Sequence, residues 1–190
     1  MVNPKLILLL LILMLGVGLG VMRLMSPHKK FSTQAYWETA TVEDVAKIPD
    51  EALQPGNSNG PVLMWAATTV EDVRILEALV SRGADVNEAD GLFLGTALSG
   101  AASYNKSTQV IDKLIELDAN LEAKLLNNNS ILAASAMYNV HPGIVDHLIS
   151  HGADVYDVND DGMDALDLAY LLENEVAIEQ LEKYYEIIEE

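Results

Sequence analysis

The 190-residue sequence predicts an all-α stack of helical repeats, and three observations carry that prediction. Leu63 recurs at Leu98, Leu132 and Leu166, in steps of 35, 34 and 34 residues, each time followed by small residues: Ala66-Ala67, Ala101-Ala102, Ser135-Ala136 and Ala169. A closing phrase, Gly83-Ala84-Asp85-Val86-Asn87, returns as Asp118-Ala119-Asn120-Leu121-Glu122 and Gly152-Ala153-Asp154-Val155-Tyr156, again 35 and 34 residues apart. Between leucine and phrase lies an apolar row at helical spacing: Ile75, Leu76, Leu79, Val80; then Val110, Ile111, Leu114, Ile115; then Ile144, Val145, Leu148, Ile149.

Each row gives one helix a single apolar face. A unit of this size has nothing of its own to cover that face, so at least three units must stack. The paired small residues in the first helix of each unit let a neighbouring helix approach closely. Gly83 and Gly152 sit where a left-handed residue ends the second helix.

The units follow in order. Trp37 to Val45 matches Trp65 to Val73 at six of nine positions, including a run of five, so residues 35–55 are expected to be a shortened N-terminal capping unit. Gln54-Pro55-Gly56-Asn57-Ser58-Asn59-Gly60 is turn chemistry leading out of it. Full repeats are expected at about 57–90, 91–125 and 126–159. The last unit, 160–190, keeps Leu166, Leu168 and Ala169 and a second helix through Ala177, Ile178 and Leu181. It lacks the closing phrase, and is expected to be the C-terminal cap of a repeat domain spanning 35–190.

These residues resemble the ankyrin repeat family, whose unit of about 33 residues is a β-turn followed by two antiparallel helices, the first opening on T-P-L-H-x-A. Aligned on the leucine, the copies read Pro61-Val62-Leu63-Met64-Trp65-Ala66, Thr96-Ala97-Leu98-Ser99-Gly100-Ala101, Ser130-Ile131-Leu132-Ala133-Ala134-Ser135 and Asp164-Ala165-Leu166-Asp167-Leu168-Ala169. The family histidine is absent from all four. Its threonine is kept only at Thr96, with Ser130 and Asp164 able to supply a similar side-chain acceptor. The resemblance covers residues 36 to 185 and rests on period, helix pattern and the Gly-Ala-Asp phrase. It implies a solenoid that binds protein and does not catalyse.

Ahead of the repeats, Leu6 to Met22 is 17 residues without a charge, behind Lys5 and before Arg23. At 1.5 Å per residue that is about 25 Å against a bilayer core of about 30 Å. Residues 1–25 are expected to be an uncleaved transmembrane anchor, with membrane contact through residues 6–25, followed by a basic linker at 26–34. A cleaved secretory signal is the competing reading, and it wants an A-x-A-like site that is absent. Flanking charges favour a cytoplasmic repeat domain. The form of the segment, a short lead with one lysine before a leucine-rich run, favours export. The expectation is a single-pass membrane protein with its repeats outside the cytoplasm, periplasmic in a bacterium. The alternative is a soluble secreted or periplasmic accessory protein of an enzyme.

Charge narrows the partners. Residues 1–30 hold four basic groups and no acid, so residues 31–190 carry 7 basic against 29 acidic groups, a net charge of −22. Such a surface repels nucleic acid and anionic lipid. The absence of cysteine excludes disulfides, thiolate metal sites and a cysteine nucleophile.

The motifs that carry chemistry fall short of a site. Asp157-Val158-Asn159-Asp160-Asp161-Gly162 begins like a calcium loop, but Leu168 stands where the bidentate glutamate belongs, and the segment lies on a turn where these residues are expected. His147 and His151, four apart with His141 and Asp146 near, have zinc-binding spacing. His147 is nevertheless placed among surface positions, and His151 at a helix end where a cation favours the dipole. No G-x-S-x-G, dinucleotide or phosphate loop follows a strand, and Gly16-Val17-Gly18-Leu19-Gly20 lies in the apolar segment. No catalytic constellation, metal, cofactor or small-molecule substrate is expected.

What remains is surface. In ankyrin-like stacks the turn tips and the exposed face of the first helix form a concave recognition surface. Here those positions include Leu92 and Phe93 at one tip, Leu125 with Leu126 at the next, and Tyr104, Tyr138 and Tyr156 nearby. Apolar tips suggest a contact site for a protein partner carrying basic and apolar groups.

Overall fold

The computed structural model describes residues 28–55, 60–92 and 95–185. Among the described residues there is no strand, and ten α-helices follow one another. Two single-turn helices come first, α1 (Gln34–Trp37) and α2 (Val42–Val45). Four pairs follow: α3 (Val62–Ala67) with α4 (Arg74–Ser81), α5 (Ala97–Tyr104) with α6 (Thr108–Glu116), α7 (Ile131–Tyr138) with α8 (Ile144–Ser150), and α9 (Ala165–Leu172) with α10 (Glu175–Tyr185). First helices pack in a row, α3 on α5, α5 on α7 and α7 on α9, and second helices form a parallel row behind them.

The repeating leucines form the seam between the rows. Leu63, Leu98 and Leu132 are at most 1 % exposed, whereas Leu166, in the last pair, is only partly buried. In each apolar row of the second helices three residues are buried and the fourth, Val80, Ile115 or Ile149, is half-buried. The small residues mark the closest approaches. A Cβ built on Gly100 would sit 3.1 Å from Thr68 Cγ2 and 3.2 Å from the Met64 carbonyl, so α5 lies on α3 closely enough that a larger residue would push its neighbours back by a few tenths of an ångström.

Local chemistry sets the helix ends. Thr96 Oγ1 accepts from Ser99 N at 3.3 Å, Ser130 Oγ from Ala133 N at 3.0 Å and Asp164 Oδ1 from Asp167 N at 2.9 Å, so each first helix after α3 opens on a side-chain cap. Each of α4, α6 and α8 closes on a left-handed residue: Gly83 at φ 97°, Asp118 at φ 66° and Gly152 at φ 100°. The alanine that follows donates back to the last-turn leucine, Ala84 N to Leu79 O, Ala119 N to Leu114 O and Ala153 N to Leu148 O.

Buried asparagines stitch the units together. Asn105 Nδ2 donates to the carbonyls of Ala67 and Val70 at 2.9 and 2.8 Å. Asn139 Nδ2 donates to Ala102 and Asn105 at 2.8 and 2.9 Å, and Asn174 Nδ2 to Ala136 and Asn139 at 2.9 Å each. Every member bonds the backbone of the unit before it, and the ladder runs unbroken from Val70 to Asn174. The last pair has one extra residue here, Glu173, held left-handed at φ 57°, which returns Asn174 to register.

One expectation is corrected. A single-pass membrane protein with an extracytoplasmic repeat domain needs a spanning helix, and no helix among the described residues is long and apolar enough to cross a membrane. The longest, α10, has 11 residues, about 16 Å at 1.5 Å per residue against a bilayer core of about 30 Å. The apolar segment at 6–25 that prompted the expectation lies outside the described residues.

Candidate functional site

The asparagine ladder also positions surface groups. Tyr104 and Tyr138 are the last residues of α5 and α7, each directly before a ladder asparagine. Because Asn139 bonds the carbonyls of Ala102 and Asn105, the two helix ends are held side by side. The tyrosine rings consequently stack across the boundary between units, with centroids 6.0 Å apart and planes 22° from parallel. They stay open to solvent, 59 % exposed at Tyr104 and 37 % at Tyr138. Partial desolvation by the surrounding chain raises both phenol pKa values, and Tyr138 adds to the effect at Tyr104.

The other sequence-predicted contact residues are dispersed. Leu92 is 54 % exposed on a turn built by Asp90, whose Oδ1 accepts from Leu92 N at 3.3 Å and Gly95 N at 3.2 Å. Phe93 lies outside the described residues. At the next tip Leu125 is half-buried and Leu126 is the residue presented. Tyr156 faces the C-terminal pair: its hydroxyl donates to the Tyr184 carbonyl at 3.1 Å and its ring meets Tyr185 edge-on at 5.2 Å. Tyr185 in turn hydrogen-bonds Asp164 Oδ2 at 2.7 Å; burial first, then that bond, raises its pKa.

The calcium-like loop is organised by its own amide. Asn159 is buried, its Oδ1 accepts from Asp161 N at 2.9 Å and Met163 N at 3.0 Å, and its Nδ2 donates to Asn129 Oδ1 at 2.9 Å. Asp157 pairs with Lys124, and Asp161 accepts from Asn127 at 2.8 Å. Both carboxylates hold adjacent tips together.

The histidines find a partner that the sequence did not suggest. His147 Nε2 and His151 Nε2 each lie 2.8 Å from the same oxygen, Oδ1 of Asp112, on α6 of the preceding unit. Desolvation raises the Asp112 carboxyl, but the contacts with His151 and His147 outweigh it, and its pKa is lowered. His141 and Asp146 stand outside this cluster. His141 N donates to Asn139 Oδ1 at 2.8 Å, and Asp146 receives Lys183 Nζ at 3.2 Å and the Tyr184 hydroxyl at 3.1 Å.

Against this geometry stand the comparisons with known proteins. No curated protein matches the chain. The ankyrin repeat family model matches residues 61–91, the stretch that carries α3, α4 and the Gly83-Ala84-Asp85 exit. Repeats of that family are in general protein-protein interaction modules and are typically non-catalytic. The match at 61–91, with the helix pairs that follow it, supports an ankyrin-repeat protein.

Proposed function

We propose that the repeats form a non-catalytic module that binds a protein partner, with the stacked Tyr104–Tyr138 pair at the apolar centre of an acidic recognition face. The observation that carries the reading is the pair itself: two large aromatic rings, set side by side by buried hydrogen bonds and left uncovered. Tyrosine is a frequent interface anchor because it buries much area while ordering few torsions. Leu92 and Leu126 add exposed apolar tips. With net −22 over residues 31–190, the partner carries basic groups around an apolar patch.

Crosslinking and pull-down with the full chain, repeated with Tyr104→Ala and Tyr138→Ala, test this. The partner captured by the native chain should bind the double variant at least about 10-fold more weakly, the effect of losing about 1.4 kcal/mol. Its association rate should fall as salt shortens the Debye length towards about 8 Å and below. Equal capture by both chains removes the tyrosines from the site, and a salt-independent rate removes the charge.

A further inference from the structure

We propose that Asp112, His147 and His151 form a binding site for a divalent transition-metal ion of the zinc type, bridging two adjacent repeats. His147 and His151 are four residues apart on and just beyond α8, so both imidazoles project from one face of that helix. Their rings meet edge-on with centroids 4.8 Å apart and both Nε2 atoms turned to one point. Asp112, on α6 of the preceding unit, supplies an oxygen 2.8 Å from each Nε2. One ligand atom from each of the three residues falls within 4.8 Å of the others.

That donor set suits zinc. Two imidazole nitrogens and one carboxylate oxygen are ligands zinc accepts at about 2.0–2.2 Å, and three protein ligands leave a fourth position for water. Tetrahedral ligands at those lengths stand about 3.4 Å from one another, so when an ion enters the two 2.8 Å nitrogen–oxygen contacts open by about half an ångström and any wider pair, up to 4.8 Å, draws in. Rotation of three partly exposed side chains supplies that movement. Coordination uses the Nε2 lone pair, so each bound ring carries its proton on Nδ1. The site opens to solvent, and the strongly acidic chain draws cations towards it. Calcium and magnesium, which take oxygen ligands, are poorly served by two imidazoles.

Because Asp112 and the histidines belong to different units, the ion acts as a staple between α6 and α8. Binding therefore couples to folding: at free metal about 100 times Kd, the folded-to-unfolded ratio should rise about 100-fold, less whatever affinity the unfolded chain retains. The full chain, stripped with chelator, is titrated with Zn²⁺ by calorimetry and with Co²⁺ by visible absorption. The expected result is one ion per chain, the strong ligand-field bands of four-coordinate Co²⁺, and a higher melting temperature with Zn²⁺ and not with Ca²⁺ or Mg²⁺. His147→Gln with His151→Gln should weaken binding at least about 10-fold, the loss that follows even from removing an outer-shell partner. Circular dichroism of the metal-free variant checks that it folds; if it does not, His151→Gln alone, at the exposed helix end, carries the comparison. Lack of saturable Zn²⁺ binding by the native chain overturns the proposal. So does undiminished binding by the folded variant, or an equal response to Ca²⁺, which would mark the ion as held by scattered surface carboxylates.

Discussion

The interfaces among the full helix pairs and the interface that joins them to α1 and α2 use different forces. Between pairs, each boundary buries an asparagine whose amide bonds two carbonyls of the unit before it. At the N-terminal boundary the position equivalent to Asn105 and Asn139, seven residues after the leucine, is Val70, 4 % exposed. Valine has no donor to offer. The N-terminal unit is held by apolar burial of Trp37, Val45, Ile48 and Leu53, and by Arg82, whose guanidinium reaches the Val45 carbonyl and Asp50. Apolar contact is indifferent to small slips, whereas a buried amide with two fixed acceptors admits one register. The difference teaches that units here share a core, and that where the asparagine is present its two fixed acceptors index one unit against the next.

The largest expected effect tests the shared core. Leu114 is fully buried in α6, with α4 on one side and α8 on the other, so Leu114→Ala should cost about 2 to 5 kcal/mol through lost burial and an unfilled cavity. Ile178, 9 % exposed in the last helix, has neighbours on one side only, and Ile178→Ala should cost less. Urea midpoints of the two variants measure this. Equal drops would mean that the terminal pair is as tightly integrated as the interior ones.

A somewhat smaller effect tests the indexing. Asn139→Ala strips the carbonyls of Ala102 and Asn105 and the amide of His141 of their partner, in a site 2 % exposed. With buried polar groups left unpaired it should cost about 2 to 4 kcal/mol, whereas Val70→Ala loses only apolar area, about 1 to 2 kcal/mol. Should Val70→Ala prove the more damaging in chemical denaturation, the ladder would be an accompaniment of the stack and not what indexes it.

The leucine seam, the small residues and the helix-ending glycines stand out in the sequence because each repeats with a fixed period and a fixed chemical type. The ladder does not. Asn105 and Asn139 lie at helix ends, where a polar residue is expected anyway, and Asn174 falls one residue out of period until Glu173 takes a left-handed turn. Asp112 is hidden for a different reason: the partners that sequence proximity suggests for His147 and His151 are His141 and Asp146. The contact instead crosses a repeat boundary, 35 and 39 residues away. The tyrosine pair is half legible. Both tyrosines stand out in the sequence as apolar surface, but their stacking depends on the ladder that brings two helix ends together.

The smallest expected effect concerns a flaw inside one stitched unit. Three residues after the repeating leucine stands Ala66, Ala101 or Ala169 in the other full pairs, but Ser135 in α7. Its Oγ is buried without a hydrogen-bond partner, while the residue as a whole is inaccessible to solvent. A hydroxyl in that state has lost water and gained nothing, a loss of about 1 to 3 kcal/mol relative to a satisfied one. Ser135→Ala keeps the small volume that lets α7 lie close to α5 and α9, removes the stranded oxygen, and should stabilise the chain by about 1 kcal/mol. In a stack of about 150 residues that is a rise in melting temperature of about 2 to 4 °C. Ala101→Ser at the matching position of α5, fully buried as well, should cost a similar amount. A drop on Ser135→Ala would show that the hydroxyl holds a hydrogen bond in solution and that this serine belongs with the asparagines as part of the polar stitching of the stack.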